Sequence, residues 1–175
     1  MALTLINTQT ITSPVSSVSI TGIDATYPIY RVIVYNARIA SGSGWQMRWL
    51  VGGTPETGND YYSQWHRLRY QDNNNDILYG GVTTDYRYSG NDRMYIGDGG
   101  VNTGDFYSAK IDLYKAYDSD SEGRFALESI GSVAELRSIK GGGYRKAKQQ
   151  YNGIQIFSSV NIESGTFNLY GYDIS

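Results

Sequence analysis

Cysteine is absent from this 175-residue chain, so disulfides and thiolate metal sites are excluded. Histidine occurs once, at His66, and any Ser-His-acid arrangement would have to pass through it. No Gly-x-Ser-x-Gly elbow accompanies it, and there is no phosphate loop, dinucleotide fingerprint or HExxH pair. The reading is therefore of a non-enzyme without cofactor or protein metal site, and His66→Ala is expected to leave its function intact. Charge is sparse at 18% with a net −2, which gives no overall pull toward nucleic acid or an anionic membrane. No apolar run approaches the ~20 residues that a membrane helix needs. The first residues also lack the basic and long apolar regions of a signal peptide, which sets the expectation of assembly in a cytoplasm.

What the chain has instead is turns. Its 21 glycines, with Asn and Asp, punctuate short apolar runs, and only 3 prolines occur. Such composition describes many short strands. Trp45, Met47, Trp49 and Val51 alternate with polar residues, as do Tyr107, Ala109, Ile111 and Leu113 within 105–117. Asp118–Gly123 reads as a hairpin turn, with Phe125 and Leu127 facing inward on the return. Residues 29–36 are apolar on both faces, which predicts cover on both sides, from a sandwich or from another subunit. Residues 60–70 fit a strand or a helical turn equally. Lys140–Lys148 reads as a glycine-loosened basic loop. The expectation is one all-β domain over 1–175, an antiparallel β-sandwich of jelly-roll-like form.

The last stretch is the most patterned. Ile154, Ile156 and Val160 alternate with Gln155 and Ser159, Glu163-Ser164-Gly165 has turn chemistry, and Phe167 and Leu169 share a face. This predicts an antiparallel hairpin of Ile154–Val160 with Thr166–Tyr170. The closing Gly165-Thr-Phe-Asn-Leu-Tyr-Gly171 resembles the end of a large family of small tailed-phage virion structural proteins. A second anchor is Val18–Asn36, with a short strand, the corner Tyr27-x-x-Tyr30 and a long apolar strand; Tyr172 stands where that family usually has Ile. The resemblance implies a bacteriophage virion structural protein, foremost a capsid decoration or cement protein. It would act as a homo-oligomer on the major capsid protein or another virion protein. A tail or fibre-base component is the alternative within that class, and a carbohydrate-binding module for host glycans is the alternative outside it.

Candidate contacts come in two groups. Residues 1–14 form either an edge strand or an extended arm to a neighbouring subunit, with Leu3, Leu5 and Ile6 as apolar anchors. Arg145, Lys146 and Lys148 could grip a phosphate backbone or an acidic protein patch, although interleaved stacking aromatics for specific nucleic-acid binding are lacking there. The Tyr, Trp and Asn residues of 60–95 could stack on sugars, form hot spots or fill a core. Asp118-x-Asp120-x-Glu122 echoes the opening of a calcium loop, but position five and position twelve of that loop do not match. A solvated hairpin tip is the favoured reading of it.

Overall fold

Strands are the chain's only regular structure among the described residues, which in this computed structural model are 2–41, 44–70, 84–100, 105–132 and 136–173. In chain order they are β1 Leu3–Ile11, β2 Val15–Thr21, β3 Ile29–Ile39, β4 Trp45–Val51, β5 Thr54–Pro55 and β6 Tyr61–Tyr70. There follow β7 Thr84–Asn91, β8 Met94–Gly97, β9 Tyr107–Tyr114, β10 Glu122–Ser132, β11 Leu136–Lys148 and β12 Gly153–Tyr172. Every pairing is antiparallel, and the main path runs β5-β4-β12-β3-β9-β10-β11-β6-β7. The fold is all-β and jelly-roll-like, a sandwich whose layers belong to one sheet that curls over its own core.

The expected terminal hairpin does not form. Residues 153–172 are one 20-residue strand. Its first half pairs with β2 and β4, through Ile154↔Ile20 and Ile154↔Trp49. Its second half pairs with β1 and β3, through Leu169↔Asn7 and Leu169↔Val32. Glu163-Ser164-Gly165 bends the strand instead of reversing it. Gly165 takes φ 138°, and the register against β3 shifts on either side of Ser164. A glycine with positive φ serves a bulge as well as a turn, so the local sequence could not separate the two. The bend carries β12 from one layer into the other.

Phe167 and Leu169 are buried as expected, and so are Trp45, Met47 and Trp49 of β4. The Trp45 ring stacks on Tyr107 of β9 at 4.8 Å, and its indole N–H donates to the Gly99 carbonyl (3.0 Å). One residue thus ties the layers together by area and by a satisfied polar atom. Residues 107, 109, 111 and 113 face the core, as do Phe125 and Leu127.

One further expectation needs correction, and the cover expected over 29–36 is supplied by this chain in part. Lys140–Lys148 is not a loop but the second half of β11, laddered to β10 on one side and β6 on the other. Its glycines are there for close approach: a Cβ on Gly141 would lie 2.5 Å from the Trp65 Cβ, and one on Gly143 would lie 2.7 Å from the Phe125 ring. Residues 29–36 are covered by this chain on one face only. Tyr30, Val32 and Val34 are buried, whereas Ile33 is half-buried and Tyr35 is 66% exposed. Residues 60–70 resolve as strand β6, because β11 and β7 supply ladders on both of its edges. Short apolar runs set between Gly, Ser and Asp turns predict hairpin strands or exposed loops at 77–79, 86–88 and 93–96; the last two fall at β7 and β8, and the first lies outside the described residues.

Candidate functional site

The two anchor stretches, 18–36 and 165–171, meet in space. Gly171 of β12 pairs with Tyr30 of β3. A Cβ on Gly171 would sit 2.2 Å from the Tyr27 ring, so this position must be bare for the corner to close. Tyr27 meets Tyr30 edge-on (centroids 5.8 Å, planes 87°). The Tyr30 hydroxyl donates to Asp24 Oδ1 (2.6 Å) and accepts from the Asp24 N–H (3.0 Å). Burial, followed by the adjacent Asp24 carboxylate, pushes the Tyr30 phenol up to about 12. The pattern is thus a structural corner that locks β12 to β3.

The candidate contacts fare unequally. Arg145 is 5% exposed and is consumed inside the protein. Its Nε lies 2.9 Å from Asp60 Oδ1 and its Nη1 2.8 Å from Glu56 Oε2, with the Tyr61 and Tyr151 rings at 5.4 and 5.9 Å. Burial works against this charge, but the Asp60 hydrogen bond and the surrounding groups outweigh it and raise the guanidinium. Asp60 also accepts from the Ala147 N–H (3.1 Å), which pins the end of β11. Arg145 is therefore not a surface cation, and a phosphate-gripping trio with Lys146 and Lys148 is not assembled. Those two lysines are exposed. Leu3 and Leu5 point outward from β1 (46% and 55% exposed), whereas Ile6 turns in over Gly22. β1 spends its ladder on β12 of the same chain, as an edge strand does.

Two carboxylates of the calcium-like run, Asp118 and Glu122, serve their own hairpin. Asp118 accepts from the Asp120 N–H (2.9 Å) and the Ser121 hydroxyl (2.6 Å), and these bonds hold its carboxyl below the usual range. Among the described residues no group of three His, Asp or Glu converges as a metal site would need. His66 stands on the exposed face of β6, in register with Lys140.

Where the aromatic supply of 60–95 ends up was not readable from spacing. Trp65 is buried and stacks on Tyr95 (4.8 Å), with Tyr88 beside both. Next to them Asp92 receives two arginines. Arg93 grips it with bonds of 2.6 and 2.9 Å, Arg48 reaches it as well, and both lower its carboxyl, Arg93 most. That cluster is internally compensated.

On the opposite face of β6, Tyr62 stacks against Tyr144 of β11 (centroids 5.1 Å, planes 11°). Ser89 stands directly across from Tyr62 on β7, and two residues along the strands Gly142, Gln64 and Arg87 lie side by side. Together they line a shallow cleft of about 310 Å³. Tyr144 lay in the segment read as a loop, so its pairing with Tyr62, across a separation of 82 positions, had no local signal.

No family model matches the chain, and neither a curated protein nor a solved structure shows significant similarity to it.

Proposed function

We propose that the protein is a non-enzymatic bacteriophage virion structural protein, acting as an outer-capsid decoration or cement protein on the major capsid protein. The observation that carries the reading is the outer face of the large sheet. Leu3, Leu5, Tyr35, Leu68, Ile130 and Leu136 are all large, all at least 41% exposed, and all on that face. No other element covers it among the described residues. Tyr35, Ile130 and Leu68 fall in one row across the sheet with only Ser108 and Ser138 between them, and such a gathered apolar row suits a protein that is completed by a neighbour.

The edge of the same sheet supports a homo-oligomer. β1, Leu-Thr-Leu-Ile-Asn-Thr-Gln-Thr-Ile, contains no charged residue and no proline. Among the described residues it has a ladder on one side only. Edge strands are ordinarily protected by Lys, Pro or bulges; β1 has only a register shift at Ile6, whereas the opposite edge, β7, carries Asp85 and Arg87. An uncharged edge with outward leucines fits strand addition by a second copy. Each contact buries little, and the shell gains by summation over many copies.

Counting copies in purified particles by quantitative mass spectrometry tests the role. A number commensurate with the shell lattice is expected. A small fixed number would assign the protein to the tail, and its absence from particles would defeat both readings.

A further inference from the structure

The Tyr62–Tyr144 cleft has chemistry that assembly does not use. We propose that it is a binding site for an acidic saccharide, one pyranose ring lying on Tyr62 with its carboxylate on Arg87. This inference is independent of the virion reading, since it rests only on groups of β6, β7 and β11 around the cleft.

Three observations carry it. First, Tyr62 is sandwiched on one side only. Tyr144 covers the ring face toward β11, and the residue opposite on the β7 side is Ser89, too short to cover the other. A bare aromatic face beside a small residue accepts the apolar side of a sugar ring. Second, polar groups sit at the right reach. Gln64 and Arg87 follow Tyr62 and Ser89 two residues along their strands on the same face, at ~7 Å by strand geometry. That is about the length of one pyranose with its substituents. Gly142 fills the third place in that row and leaves the floor open.

Third, Arg87 has no carboxylate partner among the described residues. Among the described arginine side chains every other one meets a carboxylate: Arg31 meets Asp112, Arg38 Glu163, Arg48 and Arg93 Asp92, Arg67 and Arg137 Asp98, Arg124 Glu122, and Arg145 Asp60. Arg87 alone has neither ion pair nor hydrogen bond there, and its planar fork matches a carboxylate bidentately. Gln64 and the two phenols likewise make no hydrogen bond with the described residues, so donors and acceptors for ring hydroxyls remain available. A single ring flanked by one guanidinium also fits one sugar better than a strand of nucleic acid, which asks for successive stacking platforms.

The test uses the full chain and two probes that differ only in their carboxylates, a β-1,4-linked glucuronate oligosaccharide and a cello-oligosaccharide of matched length. Calorimetry at physiological salt should show the acidic probe binding at least ~10-fold more tightly, the equivalent of about 1.4 kcal/mol. Arg87→Gln should erase that preference while leaving thermal unfolding unchanged. Tyr62→Ala should weaken both probes, and Tyr62→Phe should retain the ring and most of the binding. No measurable binding of either probe would overturn the proposal. So would an acid preference that survives Arg87→Gln, or an oligothymidylate that binds more tightly than the glucuronate and is lost in the same variants. None of these outcomes bears on the copy number in particles, so the two readings fail separately.

Discussion

Arg145 and Arg87 are both arginines beside two tyrosines, on the two strands that flank β6, and they behave in opposite ways. Arg145 lies inside, with two carboxylates and the Tyr61 and Tyr151 rings around it. Arg87 lies outside, next to Tyr62 and Tyr144, with no carboxylate among the described residues. The residue types match; the electrostatic bookkeeping does not. A charge already met by the protein holds structure, and a charge left unmet is available to a ligand. The comparison says where substitutions should be felt as stability and where as binding.

The largest effect is expected on the inner side. Arg145→Ala strands Glu56 and Asp60 without their cation and removes a group packed between two rings. Losing one partner of a buried pair costs roughly 3–5 kcal/mol. The low end applies here, because the two carboxylates are about a quarter exposed. Urea unfolding should show the loss as a lowered midpoint with unchanged slope. A variant as stable as the parent would remove the contrast between the two arginines. Leu169→Ala, with a buried side chain in the second half of β12, should cost about 2–5 kcal/mol by the cavity it leaves.

Next comes the corner that joins β12 to β3. Gly171→Ala sets a methyl against the Tyr27 ring, and overpacking of this kind costs about 1–3 kcal/mol. Tyr27→Ala in the same background should return part of it, since the two changes share one contact. Additive losses would mean that the corner is not what Gly171 serves.

A third effect is set by pH. Burial pushes the Tyr30 and Tyr151 phenols up to about 12, against about 10 for an exposed tyrosine. A raised folded-state value means that the unfolded chain loses its proton first. Stability is therefore full below about pH 10 and falls as pH rises toward 12. Denaturation midpoints measured across that window should decline, and Tyr151→Phe should flatten the decline. A flat profile in the parent would contradict the burial of these hydroxyls.

Much of this architecture was legible in the sequence, and the exceptions share a cause. Alternation at 45–51 and 107–113 placed the core residues because a period of two is a local signal. Gly165 misled because a bulge and a turn both want positive φ; only the ladders along both halves of β12 show that the strand continues. Gly141, Gly142 and Gly143 were read as looseness, yet they let β11 pack against Trp65 and Phe125. Arg145 looked like one of three surface cations because its partners lie about 85 positions away in sequence. The cleft was hidden for the same reason. Tyr62 and Tyr144 become neighbours only once β6 and β11 pair, and neither segment carries a local signal that names its partner.

The smallest effect on stability is expected at the outer arginine, and it sharpens the comparison most. Arg87 is exposed and makes no hydrogen bond to the described residues, so Arg87→Gln should change stability by no more than about 0.5 kcal/mol, as surface substitutions do. Placing a carboxylate beside it separates the two roles further. Ser89→Asp sets an acid next to Arg87 on the same strand face, where an exposed pair contributes about 0.2–1 kcal/mol at most. The fold should therefore hardly register the change, while the guanidinium acquires an internal partner of the kind Arg145 already has. Binding of the glucuronate probe should then drop although Arg87 is still present. Two measurements on one variant, a thermal melt and a calorimetric titration, check this directly. If the melt shifts by several degrees, Arg87 was already part of the structural network, and the difference between the two arginines would be one of exposure alone.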